Sequence, residues 1–266
     1  MDTARPGTAG AAGAAGAEPA GYARRLAGKL AEDCGVKLAA AVLHGSAALG
    51  GWQPGRSDVD LLFVVQDVTT DMDVRRMVVS LVTLAQDCPG SAIETSIVTE
   101  AQAAMPGPPW PYLRHVVAGP GAETKIHPAP GDVAHDPDLL MHFAVCRAAG
   151  VSVYGAAPQA IFGPIARPAI LAYLAGELQW GLENAPEAYA VLNACRAQVY
   201  LTDDLIVSKI AGGETVLARG TGPAAVIGRA LDQQRGRLAS QPPGADAARF
   251  ALATAAELLT AAGPRP

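Results

Sequence analysis

The stretch His44-Gly45-Ser46-Ala47-Ala48-Leu49-Gly50-Gly51-Trp52-Gln53-Pro54-Gly55-Arg56-Ser57-Asp58-Val59-Asp60-Leu61-Leu62-Phe63-Val64-Val65 decides how the chain is read. Upstream, Val36–His44 is apolar enough for a buried strand, which Gly45-Ser46 ends. Downstream, Leu61–Val65 is a continuous apolar run, so Val59–Val65 reads as a second strand covered on both faces. Side chains alternate along a strand, which puts Asp58 and Asp60 on one face at its mouth. Two carboxylates so close repel each other, and a divalent cation between them removes the repulsion. Hard oxygen ligands suit Mg2+, which also binds substrate phosphates. The Gly45-Ser46 turn can offer backbone N–H groups and a hydroxyl to a phosphate. Metal, phosphate cradle and sheet edge together point to phosphoryl or nucleotidyl transfer.

A third carboxylate follows. Val74–Cys88 reads as a helix with Met77, Val78, Leu81 and Leu84 as its apolar stripe, and Ala92–Val98 as a third strand. Glu94 lies in that strand. If the strand is a neighbour of the Asp-bearing one, Glu94 faces the same site and can bind a metal or take a proton from an attacking hydroxyl. Two metals would stabilise both the attacking and the leaving oxygen.

Outward from this core, residues 1–20 are an Ala/Gly run expected to be a flexible tail, because Gly interrupts the Ala every few residues. A helix is expected from Tyr22. Residues 101–135 are rich in Pro and Gly and should be mostly irregular, joining two domains. Beyond them Pro137–Ala149, Arg167–Asn184, Pro186–Lys209, Pro223–Ala239 and Ala245–Ala262 read as helices. The expected architecture is α+β: a mixed sheet with helices over residues 21–130, then an all-α domain over 131–266.

Composition narrows the function. The 266 residues carry a net charge of −5 and 17 % charged side chains, which argues against a nucleic-acid partner. No apolar run is long enough for a membrane span, and the N-terminus lacks the core of a signal peptide. A cytoplasmic monomer is expected. Cys34, Cys88, Cys146 and Cys195 show no CxxC spacing and read as reduced, buried thiols. The five histidines form no metal-ligand cluster.

HGSAALGGWQPGRSDVDLL resembles the YGSA-x-x-GG-x-x-P-x-SDIDLL stretch of the aminoglycoside (3″)(9) adenylyltransferases, with one extra loop residue. These belong to the nucleotidyltransferase superfamily, which shares a polymerase β-like palm. Ile93-Glu94-Thr95-Ser96-Ile97-Val98 resembles the family's third-carboxylate strand, and Pro109-Trp110-Pro111-Tyr112 its Pro-Trp-x-Tyr element. Asp136-Pro137-Asp138-Leu139 is similar to its Asp-x-Asp-Leu helix, and Leu192–Tyr200 to its LxxxRxxxY helix. The resemblance implies an O-adenylyltransferase that moves AMP from ATP to an aminoglycoside or aminocyclitol and so confers resistance. It implies that Asp58, Asp60 and Glu94 hold Mg2+, that Glu94 is also the base, and that Gly45, Ser46, Ser57 and Arg196 contact ATP. Arg196 would also link ATP binding to domain closure. The family's TGKIAPK segment corresponds to the region ending Val207-Ser208-Lys209 and Gly212-Gly213. Its second Lys falls at Gly213 when four extra residues are allowed, leaving Lys209 or Arg219 to substitute. Trp110, Trp180, Glu183 and Glu187 are candidate substrate contacts. Residues 132–187 carry six acids (Asp132, Asp136, Asp138, Glu177, Glu183 and Glu187) against Arg147 and Arg167, an acidic wall that would attract a polycationic sugar. Two alternatives are the same fold acting on another small molecule or a protein acceptor, and a catalytically inactive nucleotide-binding regulator.

Overall fold

In the computed structural model of the chain, residues 9–33, 35–128 and 134–263 are described. Six strands form one mixed sheet: β1 (Leu38–Leu43), β2 (Val59–Val65), β3 (Ile93–Thr99), β4 (Arg114–Ala118), β5 (Lys125–His127) and β6 (Val151–Gly155), in the order β5-β4-β3-β2-β1-β6. Only β2 and β3 run parallel; every other neighbouring pair is antiparallel. A parallel pair needs a crossover connection. Helix α3 (Asp71–Leu84), started by a Thr70–Asp73 capping box, provides it.

The sheet is buried on both faces along β2, where Leu61, Leu62, Phe63, Val64 and Val65 are all fully covered. The odd-numbered face is the main core. Leu61, Phe63, Ile93, Ile97 and Val116 pack there with Leu26 and Leu30 of α1 (Ala9–Asp33) and with Met77 and Leu81 of α3. Each such side chain taken from water contributes about 1.5–3 kcal/mol. On the even-numbered face lie the short helix α2 (Gly45–Ala48), α4 (Glu100–Ala104), and α5 (Leu139–Ala149), whose Leu139, Phe143 and Cys146 are buried.

The first compact unit runs to Pro164 and the second begins at Ile165. The expected boundary near 130 therefore moves. The chain returns to the sheet after the Pro/Gly region, because β6 pairs with β1 and completes the edge next to it. The segment 101–135 is also less irregular than expected. It holds α4, β4 and β5, and the flanking Pro and Gly residues hid the short Val116–Ala118 alternation. The expected tail is helical from Ala9, and residues 1–8 lie outside the described residues. A helix already anchored by Tyr22, Leu26 and Leu30 extends without a new nucleation step, and Ala is its best former. Among the described residues no helix is long and apolar enough to cross a membrane. Cys88, Cys146 and Cys195 are free and buried, and Cys34 lies outside the described residues. Burial pushes the Cys195 thiol up to about 12, so it is inert near neutrality.

The short α6 (Pro158–Ile161) closes the first unit. The second consists of α7 (Arg167–Asn184), α8 (Glu187–Asp203), α9 (Lys209–Arg219), α10 (Ala224–Gln234) and α11 (Ala245–Ala262). Helix α8 is its axis, with Ala190, Val191, Leu192, Ala194, Cys195 and Ala197 fully buried. The helix expected to reach Lys209 stops at Asp203. Asp204 turns left-handed (φ 56°), and Ser208 caps a new helix by accepting from the Ala211 N–H at 3.2 Å. Two acids at a helix C-terminus oppose its dipole, which favours ending there.

Glu187 opens α8 with no solvent exposure. Its carboxylate accepts from Arg229 Nε at 2.6 Å, Gln241 Nε2 at 3.0 Å and the Gly244 N–H at 3.2 Å. Burial raises its pKa, but these three donors, led by Arg229, outweigh burial and hold it below the usual value. Glu187→Ala strands the donors and should cost the second unit about 3 kcal/mol near neutral pH, read by urea unfolding. Because the folded pKa is depressed, that stability is present above the unfolded carboxylate value and is lost as pH falls through the folded one. The wild-type advantage should therefore shrink in acid. An equal difference at pH 7 and pH 3 would refute the assignment.

Candidate active site

Parallel pairing sets Asp60 of β2 directly opposite Glu94 of β3. Registered partners share a face, and Asp58, two residues before Asp60, shares it too. Gly45 closes one side of this group. Its φ is +59°, and a Cβ there would lie 1.9 Å from Asp60 Oδ2, so only glycine lets the turn approach the carboxylate. The turn is fixed to the strand by the His44 N–H, which donates to the Asp60 carbonyl at 2.9 Å. Ser46 follows in the first turn of α2, half-buried. On the other side the loop before β3 holds Asp58: Ser91 Oγ donates to Asp58 Oδ1 at 2.7 Å, and the Ser91 N–H donates to the Ser57 carbonyl at 3.1 Å. Ser57 Oγ accepts from the Gln53 N–H at 3.0 Å and so folds the Gly-rich loop back on itself.

Glu94 stands in a strongly perturbing environment. Burial raises its pKa, His142 lowers it, and Asp58, Asp138 and Asp136 raise it further. His142, on α5, is itself pushed down by burial and drawn up by Glu94, Asp136 and Asp138. Its ring centroid is 5.0 Å from that of His44. Burial also drives the His44 imidazole well below its ordinary range, with His142 adding to the effect and a hydrogen bond to the Leu61 backbone opposing it. Further along the same face, Ser96 Oγ and His115 Nδ1 share a hydrogen bond of 3.0 Å. The Asp138 N–H donates to Asp136 Oδ1 at 2.9 Å, and the Asp136 N–H to the Trp110 carbonyl at 3.0 Å. Trp110 is left-handed (φ 64°), a costly state for a bulky residue. It lines a largely apolar cavity of about 290 Å³ with Gln102, Met105, Pro109 and Phe143.

Carboxylate oxygens are the donors Mg2+ takes. Among the described residues no three His, Cys, Asp or Glu side chains converge closely enough to enclose an ion by themselves. Mg2+ does not require that: it commonly uses one or two carboxylates and leaves the rest of its octahedron to water and substrate phosphates. Asp58, Asp60 and Glu94, on one face and bordered by a Gly-Ser turn, fit such a partial ligand set.

The remaining expected residues lie in the second unit. Arg196 is held inside it: Nε donates to the Val207 carbonyl at 2.9 Å and Nη1 to Asn193 Oδ1 at 3.1 Å. Burial lowers its pKa, while Tyr189, Tyr173 and Glu177 raise it. Lys209 opens α9, with its Nζ 4.3 Å from the centroid of the Tyr189 ring. Trp180 is 51 % exposed and Glu183 is exposed. Glu187 is a correction: fully buried and satisfied by Arg229, Gln241 and Gly244, it has no carboxylate oxygen to offer a substrate. Glu177 is bonded to Tyr189, Asp136 and Asp138 belong to the first unit, and Asp132 lies outside the described residues. Sequence reasoning passed over His142 and Ser91, which approach Glu94 and Asp58 only through the fold.

The nucleotidyltransferase domain model matches residues 24–96, and the model for the C-terminal domain of aminoglycoside adenylyltransferase matches residues 162–257. No curated protein sequence matches. Among solved structures, spectinomycin adenyltransferase AAD(9) from Enterococcus faecialis, crystallised with ATP and spectinomycin, superposes with a TM-score of 0.61 at 15 % identity, over 93 % of this chain and 99 % of that one. At that identity the superposition speaks for the fold alone. The two matched segments follow one another in the order of the motifs that the resemblance rested on: the chain carries a nucleotidyltransferase domain followed by a C-terminal domain of the aminoglycoside adenylyltransferase type.

Proposed function

We propose that the chain is a Mg2+-dependent O-adenylyltransferase that moves AMP from ATP to a hydroxyl of an aminoglycoside or aminocyclitol of the spectinomycin or streptomycin type. The observation that carries this reading is the register of Asp60 with Glu94 beneath the Gly45-Ser46 turn. One acid can serve a metal–phosphate group while its neighbour serves the incoming hydroxyl.

Asp58 and Asp60, with Glu94, would hold the metal, which when bound neutralises charge on the transferring phosphates. Ser46 and Ser57, on the Gly-rich loop, are donors for the phosphate oxygens, and Arg196 and Lys209 are the cations assigned to the triphosphate. Glu94 accepts the proton of the acceptor hydroxyl. The freed oxygen attacks the α-phosphorus in line, a new P–O bond forms, the bond to the bridging oxygen breaks, and pyrophosphate leaves with the electron pair. Ser91 keeps Asp58 from swinging away, and the buried His142 lies beside Glu94. Trp110 and the Asp136–Asp138 pair suit a sugar with ammonium groups, through a stacking face and negative charge. We place the reaction in the cytoplasm, where ATP is available, and assign it to a single chain.

Pyrophosphate release should be measured with ATP and Mg2+ across streptomycin, spectinomycin, kanamycin, gentamicin and lincomycin. Release is expected with streptomycin or spectinomycin. Glu94→Gln should reduce kcat by about 10²–10⁴-fold with nucleotide binding retained. Silence across the panel in a protein that still binds ATP would remove the acceptor assignment and leave the nucleotide chemistry.

The pH profile tests Glu94 separately. It acts as a base only when ionised, and burial raises its pKa. kcat/KM should therefore show an acid limb whose position balances the burial and acidic neighbours that raise the Glu94 pKa against the bound Mg2+ that lowers it. Asp138→Asn removes a negative neighbour, lowers the Glu94 pKa and should move that limb to more acid pH at the same Mg2+ concentration. A limb moving the opposite way would count against Glu94 as the base.

A further inference from the structure

Tyr189 lies in the first turn of α8 and is tied on several sides. Its hydroxyl donates to Glu177 Oε1 on α7. The edge of Trp180 meets its ring, with centroids 5.8 Å apart and planes at 66°. Gly181 makes room for the ring, since a Cβ there would lie 3.2 Å from Tyr189 Cδ1. The ring's open face carries Lys209, whose Nζ is 4.3 Å from the centroid. That distance is well within the range of a cation–π attraction.

Lys209 is the first residue of α9, capped by Ser208, and the positive end of a helix dipole disfavours a cation in that turn. A lysine side chain is also long and rotamer-rich, so each contact that fixes its ammonium narrows the positions it samples. The Tyr189 ring attracts it through the π face, and Glu177 adds a negative charge behind the hydroxyl. Arg196, two turns along α8 from Tyr189, lies on the same side of the helix. Its Nε grips the Val207 carbonyl, two residues before Lys209. One residue of α8 thus holds the backbone leading into Lys209, and another holds its charge.

We propose that Tyr189, fixed by Glu177, is a positioning residue that holds the Lys209 ammonium in register with Arg196, so that the two cations reach the triphosphate of ATP as a preformed pair. This rests on the reading that Lys209 and Arg196 serve the nucleotide. Tyr189 does not itself touch the nucleotide; it reduces the ordering that binding would otherwise demand of Lys209.

The test is calorimetric titration of the full chain with Mg2+ and α,β-methylene-ATP, without acceptor, for wild type, Lys209→Met, Tyr189→Leu, Tyr189→Phe and the Lys209→Met/Tyr189→Leu double variant. Lys209→Met should weaken binding about ten-fold. Tyr189→Leu should weaken it several-fold, and the double variant should bind no worse than Lys209→Met alone, because Tyr189 acts only through Lys209. Tyr189→Phe keeps the ring and loses the Glu177 bond, so it should fall between wild type and Tyr189→Leu. Adenosine affinity should not change in any of them. A Tyr189→Leu effect that adds in full to that of Lys209→Met, or equal weakening toward adenosine, would reveal a general packing role and overturn the proposal with the nucleotide reading intact. So would wild-type affinity in Tyr189→Leu when Lys209→Met is impaired. Unchanged binding in Lys209→Met would overturn the assignment of Lys209 and the proposal together. If Tyr189→Leu does not fold, as judged by its thermal transition, the cycle of Tyr189→Phe with Lys209→Met decides by the same criterion.

Discussion

Everything in the first unit depends on holding two carboxylates side by side on adjacent strands of a largely buried sheet. Asp60 and Glu94 are registered partners on one face of the sheet, and two carboxylates so placed repel each other when both are charged. A sheet tolerates this only if its stability comes from elsewhere. Here it comes in large part from the opposite face, where Leu61, Phe63, Ile93 and Ile97 alternate with the acids along the same two strands, and from Leu62, Val64 and Val98 further along the acids' own face, all of them buried. The period of two along a strand thus keeps the acids out of the main core. A one-residue slip between β2 and β3 would bury the acids in the apolar core, so the register is enforced by the same pattern that builds the site.

The second unit solves a different problem with one buried helix. Most of α8 is small or aliphatic, which lets four neighbours pack closely around it. Its polar residues are the exceptions and their fates differ. Glu187 is consumed by Arg229, Gln241 and Gly244. Asn193 is spent on Arg196, and Arg196 on the backbone before α9. A half-buried guanidinium with two of its donors committed to protein oxygens is already oriented, and whatever anion it meets finds it in place.

The strands β2 and β3, the three carboxylates, and the limits of α7 and α11 were legible in the sequence because each rests on a local signal: an apolar run, an alternation, a Pro near a helix start. The strands β4 and β6 were not. Each is five residues long, and β6 gains its identity only by pairing with β1, more than 100 residues away in the chain. The end of α8 was missed because nothing apolar breaks there; Asp204 changes the backbone, and an acid in that position looks like surface. Glu187 was misjudged for the converse reason. An acid at a helix start normally faces water and favours the dipole. Only its partners, from α10 and the segment before α11, show that it is interior. Long-range partners of charged side chains are what a single sequence does not display.

The charge balance of the first unit carries one more consequence. The groups that act electrostatically on Glu94 are three carboxylates and one histidine. That histidine, with His44 stacked near it, is driven by burial toward the neutral form. Near neutral pH the imidazoles therefore do not cancel the acids, and the face retains its negative potential. A site in this state is short of cations, and the shortage grows when the phosphates of ATP enter. Under the proposed function, a divalent metal would answer part of it, and an acceptor bearing ammonium groups would answer the rest. The same deficit would then favour a polycationic acceptor over a neutral one, through the balance of charge around Glu94 rather than through any single contact.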